Sequence, residues 1–167
     1  MIMQKQDWRM LEDLIGRKAR KIMVPVRKES VSSPVEAVIA LGENDGLLID
    51  SCARIQGPLE TPIKYPQLRL RYVSPLPEYP RGETIDLSEH GEIIRRVQIL
   101  NEELFTQDEI ASFTKAIHID FSGERDITIA RNTFRDPSLN IYEYEEDGDW
   151  MDNVAVDPNA IRKLLSL

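Results

Sequence analysis

Apolar residues recur along this chain with two periods, and most of it follows the shorter one. From Ile22 to Val26 and from Val35 to Leu41 the spacing is close to two, as in a strand with one face on a core. Glu43, Asn44, Asp45 and Gly46 supply turn chemistry before Leu47 to Ser51, so a β-hairpin is expected there. A further strand is expected over residues 67–73, after Pro58, Pro62 and Pro66 break the approach to it. Later, Ile117, Ile119 and Phe121 alternate against Ala116, His118 and Asp120, and residues 122–126 turn the chain into a strand over 127–130. Between these hairpins, Ile93, Val97, Leu100 and Leu104 fit a helix, whereas Ile93, Arg95, Val97 and Ile99 fit a strand.

Three stretches carry the longer period. Asp7 precedes Trp8, Leu11 and Ile15, and Gly16 follows where a helix end favours a left-handed residue, so a helix over residues 7–15 is expected. Thr106 to Glu109 fits a capping box with Phe105 and Ile110 placed as a hydrophobic staple, which predicts a helix over 107–114. Asp157 and Pro158 fit a cap and first turn, with Ile161, Leu164 and Leu165 on one face of a C-terminal helix docked on the sheet.

The strand signals occur twice in one order. Ile22 to Val26, Ala37 to Leu41, Leu47 to Ile49 and Pro66 to Leu70 are echoed by Val97 to Ile99, Ile117 to Phe121, Ile127 to Ile129 and Pro137 to Ile141. The echo tips residues 92–104 towards strand. The fold expected is α+β: a mostly antiparallel sheet built from two related β-hairpin units with short flanking helices. Within a single domain over residues 1–167, the first β unit with its N-terminal helix would occupy 1–73. The second, with inserted and C-terminal helices, would occupy 84–167. Residues 74–83, with Pro75, Pro77 and Pro80, read as a stiff connection. Pro77 to Pro80 also matches P-x-x-P, a spacing common in linkers.

Charge changes the picture more than composition does. A chain of 167 residues with 41% hydrophobic and 30% charged residues can bury a core without staples. Its formal net charge of −8 argues against direct nucleic-acid binding, which needs Lys and Arg to neutralise phosphates. Positive charge collects near the start, in Arg17, Lys18, Arg20, Lys21, Arg27 and Lys28, and reads as a solvated face. No apolar run reaches signal-peptide or membrane-span length, so a cytoplasmic location without membrane contact is expected. The single cysteine, Cys52, allows no internal disulfide.

Catalytic signatures are sparse. The sequence contains no G-x-G-x-x-G, Walker loop, H-E-x-x-H, C-x-x-C or G-x-S-x-G, and its two histidines, His90 and His118, read as surface residues. Ser112 to Lys115 spells S-x-x-K without the companion motifs of serine acyl-enzymes. No enzyme activity, cofactor or metal is therefore expected.

The strongest local anomaly lies at residues 142–152. Glu143, Glu145, Glu146, Asp147, Asp149 and Asp152 are interleaved there with Tyr142, Tyr144 and Trp150, and no basic residue interrupts them. The acids would attract a basic surface, and the aromatic side chains would give it rigid contact area. A Ca²⁺ site over Glu146, Asp147, Asp149 and Asp152 does not fit EF-hand spacing. The expected partner-binding residues are Glu143, Tyr144, Glu145, Glu146, Asp147, Asp149 and Trp150, facing a basic protein such as a nuclease toxin, as immunity and inhibitor proteins do. A structural or adaptor module that self-associates through a sheet edge is the alternative.

Overall fold

The computed structural model describes residues 3–26, 34–56, 63–105, 110–133, 136–145, 149–156 and 159–167. Side chains of residues 52–56, 63–66, 144 and 145 lie outside that description. One helix, α1 (Lys5–Glu12), is followed by β1 (Lys18–Ala19), β2 (Lys21–Val24), β3 (Glu36–Ala40), β4 (Gly46–Gln56), β5 (Ile63–Val73) and β6 (Glu83–Asp86). Then come β7 (Glu92–Phe105), β8 (Ile110–Phe121), β9 (Arg125–Arg131), β10 (Leu139–Glu145), a 3₁₀ turn (Trp150–Asn153) and β11 (Ala160–Ser166).

The strands form two antiparallel sheets. The first has the order β5-β4-β3-β2-β6, and the second β1-β7-β8-β9-β10 with β11 also pairing with β7. Each sheet thus contains a four-strand meander, β2 to β5 and β7 to β10. The two-residue β1 pairs with β7, and β6 closes the first sheet beside β2, so the chain crosses between the sheets at both ends of the first meander.

Alternation decides which side chains meet between the sheets. Ile22, Ala37, Ile39, Leu47, Ile49, Leu68 and Leu70 come from the first sheet, and Val97, Ile99, Ile117, Ile119, Ile127 and Ile129 from the second; together they form one core. The connection at residues 74–83 runs by the first sheet. Tyr79 donates its hydroxyl proton to Glu36 Oε1 at 2.7 Å, and a Cβ at Gly46 would lie 2.9 Å from Leu76 Cδ2.

Helix α1 begins earlier and ends earlier than its spacing suggests. Gln4 is the N-cap, and Asp7 sits inside the first turn, buried, with Oδ2 accepting from Gln4 N and Oδ1 from Leu70 N, each at 3.1 Å. Leu70 belongs to the edge strand β5, so Asp7 satisfies a backbone donor the sheet leaves open. The chain then turns through Gly16, at φ +84, whose N–H donates to Ile94 O at 2.8 Å. Pro66 lies within β5 and not before it, which an edge strand tolerates because one side of its ladder is open.

Two expected helices are strands instead. Of the segment 107–114, residues 107–109 lie outside the described residues, and from Ile110 the chain is strand β8, paired along β7 from Phe105↔Ile110 onward. Cross-strand pairing with a long partner overrides the local capping signal. At the C-terminus, Ala160–Ser166 pairs with Gln98 to Leu104, whose backbone groups would otherwise form an unpaired edge of β7. Ile161, Leu164 and Leu165 consequently alternate across the strand and remain 52%, 41% and 40% exposed, not docked on one face. The short flanking helices thus reduce to α1 and a single 3₁₀ turn among the described residues.

Candidate functional site

The acidic segment divides on folding. Glu143, Tyr144 and Glu145 occupy the end of the edge strand β10, in register with Ile127, Asp126 and Arg125 of β9. Successive strand positions point to opposite faces, so Tyr142 and Glu143 do not share one surface. Glu143 is exposed, with Arg125 Nη1 3.9 Å from its Oε2. Glu146 and Asp147 lie outside the described residues. Asp149 is exposed and caps the 3₁₀ turn, its Oδ1 accepting from Met151 N at 3.1 Å.

Trp150 is not a surface anchor. Only 7% exposed, it folds back over the outer face of the second sheet beside Leu100, Ala116, Ala130 and Val154, which form a small second core. Its indole stacks on the imidazole of His118, with centroids 4.6 Å apart and planes within 5°, and its Nε1–H donates to Gln98 Oε1 at 3.3 Å.

His118 does face outward from β8, as alternation requires, but this indole and its strand neighbours bury it. Thr128 Oγ1 lies 2.7 Å from Nδ1, Asp120 Oδ1 lies 2.8 Å from Nε2, and Asp126 Oδ2 lies 3.8 Å from the same nitrogen. Arg96 holds the other oxygen of Asp120 through Nε and Nη2. Burial drives the imidazole pKa down to about 4 against the opposing pull of Asp120. Asp126 is shifted the other way, upward, by burial and then by the charge of Asp120. Thr128 Oγ1 pairs with Nδ1 and Asp120 Oδ1 faces Nε2, and the tautomer of the ring decides which nitrogen donates. A hydroxyl–imidazole–carboxylate row results. Thr128 is 0% exposed, so its hydroxyl is closed to solvent in this arrangement.

A second polar group lies under the C-terminal strand. Glu102 is fully buried, with Arg162 Nε donating to Oε1 at 2.9 Å and Lys115 Nζ 3.8 Å from Oε2. Arg162 also donates to the carbonyls of Met151, Val154 and Ala155, tying the 3₁₀ turn to β11. Lys115 sits at a register shift between β7 and β8 and donates to Asn132 O at 2.7 Å. The S-x-x-K match therefore places its lysine in a structural role. The N-terminal basic stretch is partly neutralised: Arg17 lies 3.6 Å from Asp45 and Arg20 3.7 Å from Glu43, while Arg27 and Lys28 lie outside the described residues. Cys52 lies within β4 and not just beyond it, its side chain outside the description.

No protein family, curated protein or solved structure matches the chain. Among the described residues, no helix is long and apolar enough to cross a membrane.

Proposed function

We propose that this chain is an acidic protein-binding module, of the immunity or inhibitor kind, that neutralises a basic partner such as a nuclease toxin and catalyses nothing itself. The observation that carries this reading is where the acids gather at one end of the second sheet. Glu124 precedes β9, Asp126 is its second residue, and Glu143 and Glu145 lie at the end of the adjoining edge strand β10. Asp149 and Asp152 are exposed just beyond. A net charge of −8 adds a long-range field of the same sign, which speeds capture of a cationic surface. Charges on an edge strand also discourage strand addition, which favours contact through side chains. We further read the two meanders as versions of one unit within one cytoplasmic domain.

The test is affinity against ionic strength for the captured partner. Replacing Glu143, Glu145, Glu146 and Asp147 by Lys should lower the association rate at least tenfold at low salt and flatten its salt dependence. Unchanged rates would end the proposal. Asp149 is left intact because it caps the 3₁₀ turn.

A self-associating structural module is the second reading, favoured by the exposed Ile161, Leu164 and Leu165 on the edge strand β11. Sedimentation equilibrium distinguishes the two: a concentration-dependent dimer lost in Leu164→Lys and indifferent to the acidic changes supports self-association.

A further inference from the structure

We infer that His118, Asp120 and Asp126 form a site for one divalent cation of the Zn²⁺ class, opening at the Asp126 side of the second sheet. Each offers one ligand atom, and the three atoms lie within 4.8 Å of one another.

The geometry is close to that of an N,O,O donor set. Ligands about 2.1 Å from a tetrahedral ion stand about 3.4 Å apart. Here Nε2 lies 2.8 Å from Asp120 Oδ1 and 3.8 Å from Asp126 Oδ2, so the two separations bracket that value. Asp126 supplies the adjustment: its side chain is 37% exposed, against 13% for Asp120 and 4% for His118. Phe121 N donates to Asp126 Oδ1 at 3.3 Å and leaves Oδ2 towards His118, so an ion would meet two buried ligands and a third on the more exposed side.

The surroundings hold the first two ligands in place. The Thr128 hydroxyl, fully buried, lies 2.7 Å from Nδ1. A hydroxyl both donates and accepts, so it serves either tautomer of the neutral ring, including the one with a proton on Nδ1 and a lone pair on Nε2 for an ion. Trp150 covers the ring face and leaves the Nε2 edge to the carboxylates. Arg96 engages Oδ2 of Asp120 and so leaves Oδ1 turned to His118. Its positive charge opposes the cation and weakens binding.

One imidazole with two carboxylates suits Zn²⁺ or Co²⁺ better than Ca²⁺, which takes six to eight oxygens. Calorimetric titration of metal-stripped protein with Zn²⁺ alone should give one equivalent bound. Asp126→Asn should raise Kd roughly tenfold or more, while Glu143→Gln, which removes an equal charge from the neighbouring strand, should change it less than twofold. The chain has only two histidines, so imidazole NMR on the unaltered protein gives an independent reading. Zn²⁺ should move the His118 ring resonances and leave those of exposed His90 in place. Absence of stoichiometric binding at millimolar Zn²⁺, equal weakening by the two variants, or shifts confined to His90 would each overturn the site.

Discussion

Replacing Trp150 tests whether the end of the acidic segment is held by the core or free to meet a partner. The indole buries nearly all its surface against Leu100, Ala116, Ala130 and Val154, stacks on His118 and donates one hydrogen bond to Gln98. Removing a buried tryptophan side chain costs about 3–5 kcal/mol through lost transfer energy and the cavity left behind. Collapse of the exposed 3₁₀ turn into that space would limit the cavity, so Trp150→Ala should cost about 3 kcal/mol. Trp150→Phe keeps an aromatic stack and loses the hydrogen bond and part of the volume, for about 1–2 kcal/mol. In a chain of this length each kcal/mol moves Tm by about 2–4 °C, so the alanine variant should melt about 10 °C lower. The assay is urea unfolding followed by far-UV circular dichroism, which avoids the lost fluorophore. A destabilisation below about 1 kcal/mol for Trp150→Ala, with partner affinity abolished, would refute the packing argument and restore Trp150 as a surface anchor.

Other expectations follow from buried polar groups. Asp7→Ala removes the acceptor for both Gln4 N and Leu70 N and should cost about 2–3 kcal/mol in urea unfolding, with Asp7→Asn retaining part of that. Glu102→Ala leaves Arg162 and Lys115 without their buried carboxylate and should cost about 3 kcal/mol or more, while Glu102→Gln costs less; the unfolding midpoint reports both. Burial, with the carboxylate of Glu36, raises the Tyr79 pKa in the fold. The unfolded chain therefore loses that proton first, and stability present at neutral pH declines once pH passes the ordinary tyrosine value of about 10. Tyr79→Phe should flatten the alkaline decline seen by circular dichroism, and an unaltered slope would count against the assignment.

How much of this was legible depends on whether a segment's partner lies nearby in sequence. The hairpin β3–β4 and the hairpin β8–β9 were readable because alternation and turn residues sit side by side. The strand β11 was not: Ala, Ile, Arg, Lys and Leu are good or tolerable helix formers, and only the open edge of β7, about sixty residues earlier, makes them a strand. His118 illustrates the same limit at the site. Its outward direction followed from the alternation of β8, yet nothing beside it indicates that Trp150 returns to cover it or that Asp126 comes within 3.8 Å. Glu102 finds its partner Arg162 only across the sheet, sixty residues further along the chain. Tyr142 and Glu143 set an aromatic residue beside an acid in plain view, but the pleat sends adjacent positions to opposite faces.

The proposed capture of a basic protein by acids at the β9–β10 end is open to a direct measurement. Unaltered protein is immobilised beside a variant with Glu143, Glu145, Glu146 and Asp147 changed to Lys, and host lysate is passed over both at low salt before mass spectrometry. A basic protein should be retained by the unaltered chain, released by salt and absent from the variant. The same proteins on both surfaces, or none on either, would contradict it.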